Sequence, residues 1–318
     1  MINALQNVFW ILIFPGFVFT LAVGLLASWL VRKVGALVQY RVGPPVYQPA
    51  VDVVKLMGKE ILIPQDAHRG IFVLAPLAGF SGVLLLSTAL WLATARISYV
   101  GDIVVAMYLM VFPSLALILG SSASGSPHAA VGAGREMKLV LSYELPLVLA
   151  VLVVIIKTAG QIAPGEQLSL AAMAQHTPVL SISGALAFLV ALLCVQAKLG
   201  FVPFDIAESE SELAGGVMIE YSGALLGVWK LMQAMMLVAL PLFLVVVFLG
   251  GIDASGLSLL WGIGKFVLVL VLVILIKNTN PRVRIDQAMR FFWFYCGTVL
   301  AAAVILASIG NTYDIAWL

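Results

Sequence analysis

Asp205, Glu208, Glu210, Glu212 and Glu220 lie in the single segment from Phe201 to Gly223, between two long apolar runs. That is five of the fifteen acidic residues in the chain. A charged side chain at bilayer depth costs about 3 kcal/mol on insertion scales, so acids gathered beside membrane spans are expected to line a wet path or face a partner. Their chemistry would be proton uptake and release: a carboxyl's proton affinity rises as it loses water and falls as a Lys or Arg approaches. Glu144 extends the set, because it stands well inside the apolar run that follows Lys138. An intramembrane carboxylate is disfavoured unless it has a role. Lys230 and Lys265, each inside an apolar run, are candidate counter-charges that would keep a nearby carboxylate ionised. Arg135, Glu136 and Lys138 stand at a run boundary, where interfacial anchoring competes evenly with a role in a cavity.

Other chemistry is not visible. Cys194 and Cys296 fall within apolar runs, where a thiol is usually a small packing residue, and His68, His128 and His176 show no paired ligand spacing. There is no Walker loop and no Gly-x-Gly-x-x-Gly turn, hence no recognisable nucleotide or nucleic-acid site. If the chain serves a redox reaction, the electrons travel in another subunit.

The elements that must position these groups follow from composition. With 63% hydrophobic residues, 10% charged residues and a mean hydropathy of +1.12, the chain reads as an all-α integral membrane protein with one polytopic domain over residues 1–318. Uncharged runs predict about eight transmembrane helices: Val8 to Val31, Ile71 to Ala95, Ile103 to Leu119, Leu139 to Ile156, Val179 to Ala197, Tyr221 to Leu249, Leu257 to Ile276 and Phe291 to Ile309. The third is the shortest of these, and the sixth is long enough to tilt or to bend at Pro241. The first run is too long, and too poor in leading basic charge, to be a cleaved signal peptide.

Orientation follows from the basic residues. The loops after spans one, three, five and seven hold Arg32, Lys33, Arg41, Lys55, Lys59, Arg69, Arg135, Lys138, Lys198, Lys277, Arg282, Arg284 and Arg290, which are thirteen of the seventeen bases. The opposite loops hold only Arg96 and Lys157. Both termini are therefore expected outside, with the acidic loop 198–222 on the cytoplasmic face.

The first cytoplasmic loop, 39–60, carries a second candidate surface. Gly43, Pro44 and Pro45 enforce a non-helical turn, and Pro49 suits the first turn of a new helix. On that helix Asp52, Lys55 and Lys59 would share a face while Val53, Val54, Leu56 and Met57 supply apolar surface, which predicts an amphipathic helix lying at the membrane surface in contact with lipid. Pairing of Asp52 with Lys55 for solubility alone is the plainer reading. The functional one makes Arg41, Asp52, Lys55 and Lys59, with Arg135 and Glu136, a docking surface or cavity floor for a cytoplasmic partner.

Three separated segments, Gly43 to Glu60, Gly132 to Glu144 and Pro203 to Gly223, resemble the signatures of one family, and Arg282 to Gln287 is a fourth match. The family is the membrane subunit that joins the peripheral redox arm to the proton pumps in respiratory complex I, with its relatives in membrane-bound nickel–iron hydrogenases. The resemblance implies eight core spans, a cavity beneath the redox arm, and a chain of acids running from it toward antiporter-like subunits. It also implies peripheral hydrogenase-like large and small subunits as partners, carrying iron–sulfur clusters and nickel–iron chemistry, with no cofactor or metal in this chain. Two departures stand out. Pro45 leads almost directly to Gln48 and Pro49, a short form that resembles the hydrogenase-type branch, including sulfane-sulfur-reductase relatives. Lys198 and Phe201 occupy positions where quinone-reducing relatives commonly show Glu and Arg.

Three classes are weighed from the residues alone: a redox-coupled ion-translocating subunit, a secondary transporter, and a structural anchor. Internal repeats, the mark of many transporters, are not visible, and an anchor has no need of acids at membrane depth. In the first class Glu144, Asp205, Glu208, Glu210, Glu212 and Glu220 would relay protons with Lys230 tuning them. The acceptor of electrons, whether protons, a sulfur compound or a quinone, would belong mostly to a neighbouring subunit, and this chain alone would catalyse nothing.

Overall fold

Pro15 and Gly16 interrupt the first apolar stretch, and a regular helix, α1, runs from Phe17–Val38 beyond them. The structure, a computed structural model, describes residues 9–95, 102–163, 165–253, 256–313, 315 and 317–318, with the backbone alone at 210 and 211. Val8 and Arg96, both used in the sequence reading, lie outside the described residues.

After α1 come the surface helix α2 (Gln48–Met57), α3 (Arg69–Thr94), α4 (Ile103–Ser122), α5 (Pro127–Thr158) and α6 (Ile182–Lys198). Then follow α7 (Gly223–Phe248), α8 (Leu257–Thr279) and α9 (Ile285–Thr312), the last containing one π-helical stretch over Phe291–Cys296. Seven of these are long and apolar enough to cross a membrane, and α6 is a shorter apolar helix. The chain is a nearly all-helical, multi-pass membrane protein, as a bilayer demands of backbone that must satisfy its own hydrogen bonds.

α7 is the axis of the bundle. Its residues from Ala234 to Phe248 are buried without interruption, and it packs against α1, α2, α3, α6 and α8. A helix apolar on every side can take such a place without leaving a polar face buried. A second group, α5, α6 and α9, packs together beside it, joined to α3 through α4. α8 is the most loosely attached span, with nearly half of its residues exposed and contacts to α7 and α1.

Two boundaries differ from the sequence expectation. The shortest span is the fifth, α6 with 17 residues, whereas the third has 20. α5 begins at Pro127 instead of near Leu139, because Ser126 and Pro127 open a helix that carries the polar stretch through Arg135 and Lys138 before the apolar run starts. Arg135, Glu136 and Lys138 are thus helical residues and not loop residues.

Candidate functional site

Helices α1, α4, α5, α6 and α7, with α2 laid across them, enclose a cavity of about 540 Å³. Nine charged residues line it: Arg32, Asp52, Glu136, Lys198, Asp205, Glu208, Lys230, Lys277 and Arg282. The floor is the segment after α6, which cannot continue as a helix. Pro203 interrupts it, Gln196 donates its side-chain amide to the Val202 carbonyl at 2.7 Å, and Val283 N donates to the Pro203 carbonyl at 3.1 Å.

The acids that the sequence grouped together separate into three settings. Asp205 and Glu208 face the cavity. Asp205 pairs with Arg282 at 2.7 Å. Glu208 accepts from the Gln233 amide at 3.0 Å, and Gln233 in turn accepts from Lys230 at 3.0 Å, so that the lysine acts on Glu208 through one intervening side chain. Burial pushes the Glu208 carboxyl above the usual carboxylate range; the Lys230 charge pulls it back, Asp205 pushes it further up, and the Gln233 hydrogen bond pulls it down.

Glu212 is more than half exposed and pairs with Arg135 on α5. Both line a second pocket of about 230 Å³, with Asp205, Arg282, Arg284 and Asp286. Glu210 opens the short helix Glu210–Leu213, and its side chain lies outside the described part. Glu220 is half-buried beyond a 3₁₀ turn and lines neither pocket. Glu212 and Glu220 therefore do not share a helical face, because Ala214, Gly215 and Gly216 all take positive φ and end the helix between them.

Glu136 and Glu144 approach from the other side. Glu136 is buried against the cavity, whose wall also includes Ser114, and lies within electrostatic reach of Glu208 and Lys198. Glu144 forms an ion pair with Lys198, whose side chain is wholly buried. The lysine ammonium also lies 3.4 Å from the Met110 carbonyl oxygen and 4.9 Å from the centroid of the Tyr143 ring. Asp205, Glu208, Glu136, Lys198 and Glu144 thus form a series in which each member acts electrostatically on the next.

Sequence reasoning passed over Lys198 as a site residue, and it took Lys230 instead as the free counter-charge. The available signal was its departure from the Glu common at that position. Gln233 was missed as well, being uncharged. Lys265 contacts no acid among the described residues; its ammonium donates to the Leu249 carbonyl at 2.6 Å and so closes the end of α7. Lys277 lies 4.1 Å over the ring of Phe201, the other departing position, at the cavity wall.

On the first loop, Asp52 pairs not with Lys55 but with Arg32 of α1, at 2.8 Å, and accepts from Gln48 at 2.8 Å. The Arg32 hydrogen bond holds its carboxyl below the usual carboxylate value, against burial. Lys55 is exposed on α2, whereas Lys59 lies past the helix end at Met57 and so does not share its face. Arg41 is exposed and lines neither pocket, beside Tyr40 and Val42, which are 100% and 97% exposed.

A family model described as NADH dehydrogenase matches residues 10–308. The chain belongs to that family of complex I membrane subunits. Among its relatives, the H subunit of the NADH-quinone oxidoreductase from Dehalococcoides mccartyi strain CBDB1 is 33% identical over 302 residues, covering 92% of this chain and 84% of that protein. The corresponding NADH-quinone oxidoreductase chain of Anoxybacillus flavithermus strain DSM 21510 / WK1 is 34% identical over 286 residues, covering 85% and 83%. In three dimensions the chain is similar to one from the membrane-bound sulfane sulfur reductase, an archaeal respiratory membrane complex. The TM-score is 0.81 and the identity 27%, over 92% of this chain and 97% of the other. The family resemblance read from Gly43 to Gln287 therefore holds over nearly the whole chain.

Proposed function

We propose that this chain is the membrane-anchoring and coupling subunit of a complex-I-like, ion-translocating oxidoreductase of the membrane-bound hydrogenase type. The observation that carries this reading is the series from Asp205 and Glu208 at the cavity, through Glu136 and Lys198, to Glu144 within α5. A charge change at the cavity alters the proton affinity of the next carboxyl, and the effect passes inward from group to group. The peripheral redox arm docks on the cytoplasmic face around Tyr40, Arg41 and α2, and antiporter-like subunits receive the output. The iron–sulfur clusters, and any nickel–iron centre, sit in the arm. In this orientation both termini face outside, following the distribution of basic residues.

A quinone-handling cavity is the second reading, favoured by the two sequence relatives, whose names specify NADH-quinone oxidoreductases. Lys198 and Phe201, standing where quinone-reducing relatives commonly show Glu and Arg, favour the first reading. Membrane vesicles bearing the complete complex with Glu208→Gln decide whether the acids couple at all. Electron transfer with loss of ion movement per electron is the expected result, and a wild-type ratio would remove the relay.

A further inference from the structure

Glu136 and Glu144 stand eight residues apart on α5, which at 1.5 Å per residue separates them by about 12 Å along the axis. Glu136 is buried against the cavity. Glu144 is absent from the cavity wall and keeps 21% side-chain exposure. The gap between them is filled from another helix. Lys198, the last residue of α6, pairs with Glu144 while also lining the cavity that Glu136 faces.

One buried cation is thus within electrostatic reach of two carboxyls. The other titratable groups around it are the Tyr143 phenol on α5 and the Cys194 thiol one turn back on α6, both ordinarily neutral near pH 7. A buried ammonium needs a partner, and a buried carboxylate left without one is better protonated. A lysine is suited to serve either side, because its charge is compact and its four-carbon stem rotates freely.

We propose that Lys198 is a charge gate whose ammonium alternates between Glu144 and Glu136, so that the two carboxyls take up protons in antiphase. The inference rests on the relay reading above. In the observed arrangement Lys198 is paired with Glu144. When Glu136 gives its proton to the cavity side, the new carboxylate draws the ammonium away, and Glu144, uncompensated, binds a proton from its own side. Reprotonation of Glu136 from the cavity returns Lys198 to Glu144, which releases its proton again. Each cycle of the gate moves protons only; no electron passes through it.

The test is infrared difference spectroscopy of the complete complex in membranes at one fixed pH, taken between its oxidised and dithionite-reduced states. The protonated-carboxyl band of Glu136 is identified by its loss in Glu136→Gln, and that of Glu144 by its loss in Glu144→Gln. In the wild type the Glu144 band should grow as the Glu136 band fades. In Glu136→Gln, which leaves the Lys198–Glu144 pair in place, the Glu144 band should stay absent in both states, and in Lys198→Met it should be present in both. A Glu144 band that ignores Glu136 in the wild type, or that still follows it in Lys198→Met, overturns the gate. Should Lys198→Met fail to assemble, the wild type and Glu136→Gln still decide the question. Ion movement per electron in Glu208→Gln, measured in parallel, reports separately on the wider relay.

Discussion

Arg282 and Asp205, 77 residues apart in sequence, form an ion pair at 2.7 Å, and the neighbouring Val283 amide donates to the Pro203 carbonyl. The acidic segment is thereby fastened to the start of the last span. Replacing Arg282 with Ala should loosen it. The cost in stability is at most about 1 kcal/mol, because Arg282 is 42% exposed. Limited proteolysis should nonetheless cut faster near Ser209 and Glu210, and an unchanged cleavage rate would count against the clasp.

Glu208 supplies the pH dependence. Its carboxyl is raised chiefly by burial, so it holds its proton to higher pH than an ordinary glutamate and lends its charge only above that point. If ionised Glu208 is needed for coupling, the acidic limb of the coupled-turnover profile lies above the ordinary carboxylate range. Lys230→Met removes a charge that lowers the Glu208 value, and should therefore move the limb to still higher pH. A limb that stays put, or moves to lower pH, would exclude Glu208 as its origin.

The Asp52–Arg32 pair works in the opposite sense. Asp52 is lowered by Arg32, so the pair's contribution is complete above the usual aspartate value and is lost only as pH falls through the lower folded value. With side-chain exposures of 46% and 39%, it is worth well under about 1 kcal/mol. Its role is to angle α2. Asp52→Asn combined with Lys55→Gln should leave the membrane subunit folded and reduce the amount of peripheral arm that co-purifies in mild detergent. Full arm recovery with normal coupled turnover would reduce α2 to a solubilising feature.

Gly216 allows a quantitative comparison. Its φ is +55° and an added Cβ would stand 1.8 Å from the Ala207 carbonyl oxygen, whereas Gly200, with φ +63°, has open space around it. Gly200→Ala should cost only the left-handed backbone penalty, about 1–2 kcal/mol. Gly216→Ala adds a collision with main chain that no side-chain rotation relieves. Thermal melting of the purified complex should rank Gly216→Ala clearly lower, and equal midpoints would refute the packing described around Ala207.

Topology is tested by single-cysteine labelling with a membrane-impermeant reagent. Positions 41, 135, 210 and 284 should be protected in intact cells and react in inverted vesicles. Labelling at 210 from outside would reverse the orientation.

Much of the fold was legible in the chain because length and apolarity alone decide what can cross a bilayer. The eight spans and the surface helix at Pro49 needed no knowledge of neighbours. The site was less legible, because its groups are brought together by tertiary contact. Lys198 at the end of an apolar run reads as an interfacial anchor until α5 places Glu144 against it. Glu136 looked like a boundary residue because the span was started at its first long apolar run, although Ser126 and Pro127 mark a helix start well before it. Lys59 was put on the face of α2 by spacing, yet the helix stops at Met57.

The acidic segment is held from both ends by other loops. Pro203 receives a hydrogen bond from the loop before α9, and at the far end Ser222 accepts from Leu62, with Gly223 set so close to Glu60 that a Cβ would fall 2.3 Å from its carbonyl oxygen. Three interhelical connections therefore share one set of fixed distances. An insertion or deletion in any of them cannot be absorbed locally, so viable descendants of this sequence should vary there by substitution, and should change loop length only through matched changes in all three.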